Sequence, residues 1–252
     1  MKDKIVGLKK TARLAGLLYL LLALFAIYGY FIVSPKVMVS GDITATGNKM
    51  LVNELLFRTS IFTDVVANIL FVAVVLLLYR LLRQINEFQA KLMVGLVMAA
   101  IPIAVFGSAL KITALSIFKG EVFNSFPPQQ MQQLASTFLK VGNFSGQIIT
   151  IFWGLWLLPL GLLVYRSVFI PRILGILLLI NGAGYIITSL TFILFPGYLA
   201  TVSKFMFPTY FVGEIPFMFW LLIVGVRDHL SITIIAETDS EPKRRKLVEQ
   251  IE

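Results

Sequence analysis

Residues 14–33 read LAGLLYLLLALFAIYGYFIV, a run without a single charge. At about 1.5 Å of rise per residue such a run makes a helix about 30 Å long, the thickness of the hydrocarbon core of a bilayer. Lipid offers backbone amides no hydrogen bonds, so a segment of this kind crosses as a helix that satisfies its own. Membrane strands would instead alternate polar and apolar side chains over about ten residues. The basic stretch ahead of the run, Lys2, Lys4, Lys9, Lys10 and Arg13, invites reading as a secretory signal. A signal core is shorter, about 7–15 residues, and ends at a small-residue cleavage site, so we read an uncleaved first span.

The rest of the chain follows the same pattern. Of 252 residues 58% are hydrophobic and 14% charged, well beyond the roughly 45–50% apolar content of soluble domains. Further apolar runs occupy about 55–79, 92–118, 141–165, 172–195 and 207–226. The fold class expected is all-α: a polytopic transmembrane bundle of about six spans. It comprises a single domain over 1–226 and a charged cytoplasmic tail over 227–252. Pro102 falls inside the third span, where it favours a kink, and Pro171 stands at the start of the fifth, where helices accept proline. The connection 34–52 reads as polar. In the longer connection 119–140, Pro127-Pro128 opens a short helix with Met131, Leu134 and Phe138 on one face, expected to lie along the interface.

Orientation follows from lysine and arginine, which keep short loops on the cytoplasmic side. With the N-terminus inside, the N-terminal segment, the second and fourth connections and the tail together hold fifteen of the twenty-two. Both termini are therefore expected in the cytoplasm, with the cell membrane as location. The net charge of +9 is accounted for by these flanks, and the cluster at 243–246 reads as an orientation signal or a weak attraction to anionic lipid rather than a nucleic-acid site. The absence of cysteine and the single histidine, His229, argue against thiol chemistry, disulfides and an all-protein metal site; no cofactor is expected. Arg13-Leu14-Ala15-Gly16 and Arg172-Ile173-Leu174-Gly175 resemble an internal repeat, although an interfacial arginine before a packing glycine explains both.

Ionisable groups within spans are the strongest functional signal, because each costs about 2.5–3.5 kcal/mol at the centre of an inserting helix. At about 100° per residue, Glu54, Arg58, Asp64 and Asn68 share one sector of about 120° on the second span. Reckoned by helical rise, Arg58 lies about 5 Å and Asp64 about 14 Å below the outer surface. Lys111, Asn143, Gln147 and Glu214 fall in the same outer half, with Asn181 and Tyr185 nearer the centre. Two readings follow. These ten residues line an outward-facing polar cavity, in which Arg58 and Lys111 meet an anionic group while Asp64 and Glu214 meet a cation or proton. Alternatively, they lock helices together as ion pairs, as the i, i+4 spacing of Glu54 and Arg58 suggests.

Gly142, Gly146, Thr150 and Gly154 recur every four positions, a face on which another helix packs closely, from this chain or from a second copy. The function expected is binding, sensing or transport of a small or amphipathic molecule, such as a lipid. A structural or assembly partner of other membrane proteins, including a homo-oligomer through Gly142, Gly146 and Gly154, is the alternative. No phosphate-cradling loop, nucleophile elbow or metalloprotease motif is present, so no catalytic residue is assigned and the reading leans away from an enzyme.

Several segments together resemble the family of bacterial membrane proteins called domain of unknown function 4386. They are Ala12-Arg13-Leu14-Ala15-Gly16-Leu17-Leu18-Tyr19, Asn53-Glu54-Leu55-Leu56-Phe57-Arg58, Tyr165-Arg166-Ser167, Ile170-Pro171-Arg172-Ile173-Leu174-Gly175, Asn181-Gly182-Ala183-Gly184-Tyr185, Gly213-Glu214 and Trp220-Leu221-Leu222-Ile223. The resemblance implies a multi-pass membrane protein of about this size with no assigned reaction or ligand, and it supplies no catalytic residue.

Overall fold

The computed structural model describes residues 2–226, with side chains from Gly7 onward. The basic tail, with His229 and the cluster at 243–246, lies outside them. Every regular element among the described residues is helical. α1 (Lys2–Ile27) runs through a π-helical turn, Tyr28–Val33, into α2 (Ser34–Val37). α3 (Ile43–Val52), α4 (Glu54–Leu82), α5 (Glu87–Phe118), α6 (Pro128–Arg166) and α7 (Arg172–Leu194) follow. After a 3₁₀ turn at Pro196–Tyr198 come α8 (Leu199–Met206), α9 (Thr209–Val212) and α10 (Glu214–Ile223). Five helical segments are long and apolar enough to cross a membrane, and a sixth is made if the two halves bent by 42° around Phe207-Pro208 count as one span.

Local chemistry explains most boundaries. Asp42 accepts from the Ala45 amide at 2.8 Å to open α3, and Asn86 accepts from the Gln89 amide at 2.9 Å to open α5, each side chain satisfying an orphan N–H of a first turn. Pro128 and Pro171 stand at the starts of α6 and α7, where a missing N–H costs nothing.

Three segments depart from the sequence reading. The connection 34–52 is not merely polar: α3 buries Met50 with Val33, Val37, Phe57, Ile61 and Leu115. The proline-led helix at 128 does not stop before the fourth span or lie along the interface. It continues unbroken to Arg166 as one helix of 39 residues, about 58 Å long. Nothing between Phe138 and Gly142 breaks a helix, and Met131, Leu134 and Phe138 pack with Ala114 and Ile117 on the far end of α5. Finally, the sixth span is not continuous. Pro208 stands at its start, and a break at Gly213 divides it into α9 and α10, the second of 10 residues, about 15 Å of helix.

The helices form a closed ring in which α1 lies between α4 and α10, α5 between α4 and α6, and α7 between α6 and α10, with α8 and α9 resting on α7. At the end bearing Arg80, Arg83, Arg166 and Arg172 the ring is filled. Phe71, Val74, Val75, Leu78, Leu81 and Leu82 of α4 are buried at helical spacing against Trp156, Leu160 and Leu163 of α6 and Phe217 and Leu221 of α10. Arg13 donates from Nη2 to the Ile223 carbonyl at 3.2 Å, closing the C-terminal end of α10. Towards the opposite end α4 loses its buried face for a stretch: no residue from Phe62 to Leu70 is buried.

α6 and α7 touch backbone to backbone. A Cβ on Gly154 would stand 2.6 Å from the Gly182 carbonyl oxygen, and one on Gly175 would stand 2.6 Å from that of Gly161. Gly154 thus serves packing within the chain, and Gly142 faces Leu110 of α5, whereas Gly146 has open space around it. Replacing Gly154 by leucine is therefore expected to lower stability by about 1–3 kcal/mol, read as a lower melting temperature in detergent, while Gly146→Leu melts with the wild type. Equal melting of both variants would contradict this packing.

Candidate functional site

The ten polar residues fall into three groups at different depths. At the rim, where α4 starts and α5 ends, Glu54 accepts from Arg58 at 2.7 Å and from Lys119 at 3.1 Å, and Lys119 also pairs with Glu121 at 2.7 Å. Beyond the spans, the Glu121 carboxyl is held below its ordinary pKa by Lys119 and then by Ser116. The Lys119 ammonium is correspondingly raised, by Glu121 first and Glu54 second. This exposed lattice of alternating charge ties α4 to α5. It pairs Arg58 with Glu54, the i, i+4 partner that the second of the two sequence readings gives it, and not with an outside anion.

Deeper along the same helix, Asp64 of α4 pairs with Lys111 of α5 at 2.6 Å, both side chains partly accessible. This partner is invisible along either helix alone, since it sits 47 positions away. The third wall is the π-helical turn of α1. A Cβ on Gly29 would stand 3.4 Å from Asp64 Oδ1, and the Tyr28 and Thr59 hydroxyls hydrogen-bond at 2.8 Å. A π turn inserts one residue into the helical ladder, and here the Ser34 amide reaches back to the Gly29 carbonyl. Asn68 supports the pair indirectly, its Nδ2 donating to the Asp64 carbonyl at 2.8 Å. Asp64 and Lys111, expected to receive opposite charges from a ligand, thus satisfy each other.

The third group is deepest. Measured back from the Ile223 end, Glu214 lies about 14 Å into a core about 30 Å thick. The Tyr19 hydroxyl donates to Glu214 Oε1, and the Glu214 amide donates to Asn181 Oδ1 at 3.1 Å. Asn181 is fully buried. Its Nδ2 makes no hydrogen bond of regular geometry, though it faces the Glu214 carboxylate and the Tyr185 hydroxyl. Tyr185 stacks on Tyr210 with centroids 4.4 Å apart and 10° between planes, and Tyr210 donates to Thr188 at 2.6 Å. Gly213 makes the arrangement possible: a Cβ there would meet the Leu177 carbonyl oxygen at 2.5 Å and Asn181 Cβ at 2.9 Å.

Asn143 and Gln147 join none of these groups. Asn143 is exposed, and Gln147 contributes its main-chain oxygen, which accepts from Ser189 at 3.0 Å and Thr150 at 2.7 Å. Tyr19, Tyr210 and Trp156 are the residues that sequence reasoning misses. Tyr19 does lie within the first segment that carries the family resemblance, but an isolated tyrosine in an apolar span gives no sign of what it will touch. Among the described residues no three acidic or histidine side chains converge as metal ligands.

The sequence profile of the family described as Domain of unknown function (DUF4386) matches residues 14–225. The chain belongs to that family. A relative from Archaeoglobus fulgidus, an "uncharacterized protein", is 43% identical over 75 residues, which cover 30% of this chain and 43% of the relative. The chain therefore matches less than half of that relative's length. No solved structure matches. In this DUF4386 protein, all three polar groups fall inside the matched residues.

Neutralising one member of the Asp64–Lys111 pair strands the other charge, while neutralising both removes the demand. Asp64→Asn or Lys111→Gln alone should lower stability by about 1–3 kcal/mol, less than for a fully buried pair because both side chains keep accessible surface. The double variant should recover most of that loss in a thermal melt. If the double variant falls by the sum of the singles, the pairing is not what stabilises these groups.

Proposed function

We propose that this DUF4386 protein is a multi-pass protein of the cell membrane that binds a small amphipathic molecule in the unfilled half of its bundle, to sense it or carry it. One observation carries the reading. α4 turns from a regularly buried helix over 71–82 into one whose residues 63–68 are all half-exposed, with the Asp64–Lys111 pair in the middle of that stretch. A helix packed on one side and facing lipid on the other alternates buried and exposed positions. Uniform intermediate exposure supports an accessible inner face instead. An ion pair on such a face offers a zwitterionic or anionic head group both signs of charge, and the apolar side chains around it suit an acyl or aromatic part.

Gently purified protein examined by native mass spectrometry tests this reading. The wild type should carry a defined small molecule or lipid, and the Asp64→Asn, Lys111→Gln double variant should lose it by at least about tenfold while staying folded. Folded double variant with undiminished occupancy, or a wild type with nothing bound, would reassign the pair to structure.

We further propose that the basic end faces the cytoplasm, supported by the lysine and arginine distribution. The chain has no cysteine, so single thiols report topology cleanly. Ser125→Cys should react with an impermeant maleimide in intact cells, and Gln84→Cys after permeabilisation only. The reverse pattern would turn the open half towards the cytoplasm.

A further inference from the structure

We propose that Glu214 is a reversible proton-binding site in the middle of the bundle. This goes beyond the ligand reading and does not need it. Among the described residues no lysine, arginine or histidine comes within ion-pair distance of Glu214, whereas Glu54 and Asp64 both have cations. An intramembrane charge without a counter-ion is costly, and taking up a proton removes it.

The surroundings are built to hold the carboxyl in either state. On α1 the Tyr19 hydroxyl donates to it. On α7, Asn181 and Tyr185 face it, and Tyr210 of α9 stands behind Tyr185. All four are neutral. The cations of α1 meet the other end of α10: Arg13 at Ile223, and Lys9 beside Gly225, about 14 Å away along the helix. The Asp64–Lys111 pair belongs to α4 and α5, neither of which packs extensively on α10. In the charged form the carboxylate accepts from Tyr19 and stands at the N-terminal end of α10, where the helix dipole favours a negative group. When a proton from water forms an O–H bond on Glu214, the Tyr19 hydroxyl turns and its oxygen accepts. The proton leaves by the same route.

Two further features make this a site and not only a buried acid. Asn181, fully buried, turns its Nδ2 donor to the carboxyl without a hydrogen bond of regular geometry, so this donor depends on the carboxyl as its acceptor. Glu214 itself is only partly buried. The position also matters mechanically. Glu214 is the first residue of α10, directly after the break at Gly213, and its amide is bonded to α7, so a change of charge falls on the junction between two half-helices.

The test is covalent labelling of the whole protein in lipid vesicles with dicyclohexylcarbodiimide, an apolar reagent that adds to protonated carboxyls and leaves a stable N-acylurea, read by peptide mass spectrometry. From about pH 5 to about pH 9, Glu214 labelling should fall through a single midpoint, about tenfold per pH unit on its alkaline side. Tyr19→Phe should move that midpoint, and Asp64→Asn should leave it in place. No label on Glu214 at any pH, or label independent of pH, would overturn the proposal. Protection by sodium chloride but not by choline chloride at constant pH would overturn it in favour of a sodium site. A wild type with nothing bound in the native mass measurement, with labelling intact, would sink the ligand reading alone.

Discussion

The contact on which the rest of the molecule depends is the approach of α7 to α6. Gly154, Gly161, Gly175 and Gly182 bring two backbones closer than any side chain allows, and in lipid this kind of packing replaces the hydrophobic effect as the force between helices. With α7 seated this deeply, Asn181 is buried and presents its amide to the start of α10. Gly213 then lets α10 begin against Leu177, and Glu214 arrives beside Tyr19. A methyl group added at Gly154 or Gly175 would push α7 outward, and the whole Glu214 group would come apart with it.

The same packing explains why the two halves of the bundle differ. At the basic end, the helices of the ring meet around Trp156, with Tyr19 and Phe71 against its ring at 6.3 and 5.0 Å. Large side chains fill the interior there. Towards the other end the sixth span no longer runs alongside its neighbours. α8 and α9 rest on α7 instead of closing against α1, while the π turn packs on α4. Polar side chains occupy the region that results, because water or a polar partner is what can stabilise them at that depth. Beyond it, the ends of α5 and α6 with α3 form small apolar clusters of their own.

How much of this is legible in the sequence depends on range. Apolar runs long enough to span, the helical class and the polar stripe on α4 are read directly, because each is a property of one segment and its periodicity. What fails is whatever depends on a second segment. The helix at 128 is expected to stop before the fourth span because 119–140 looks polar; its continuation is stabilised by α5, which the local pattern does not contain. The 207–226 run has the hydropathy of a span, but the meeting of Gly213 with α7 divides it. The site shows the same limit. Depth along each helix is enough to gather most of the polar groups in one half, but not to pair them. Asp64 and Lys111 find each other across two helices, and Asn143, at a similar depth, turns away from both.

Pairing decides what each intramembrane charge is able to do. Asp64 and Lys111 together are neutral, so their charge can persist in lipid and present both signs to whatever enters. A ligand competing for one must stabilise the other, which favours head groups carrying both charges. Among the described residues Glu214 has only neutral neighbours. Its tyrosine and asparagine partners can moderate the cost of its charge without removing it, so this group has a route to neutrality through a proton that the paired aspartate does not need. Two acidic side chains in one half of one bundle thus acquire different chemistry from the elements that face them: α5 supplies a cation to one, and α1 and α7 supply hydrogen bonds to the other.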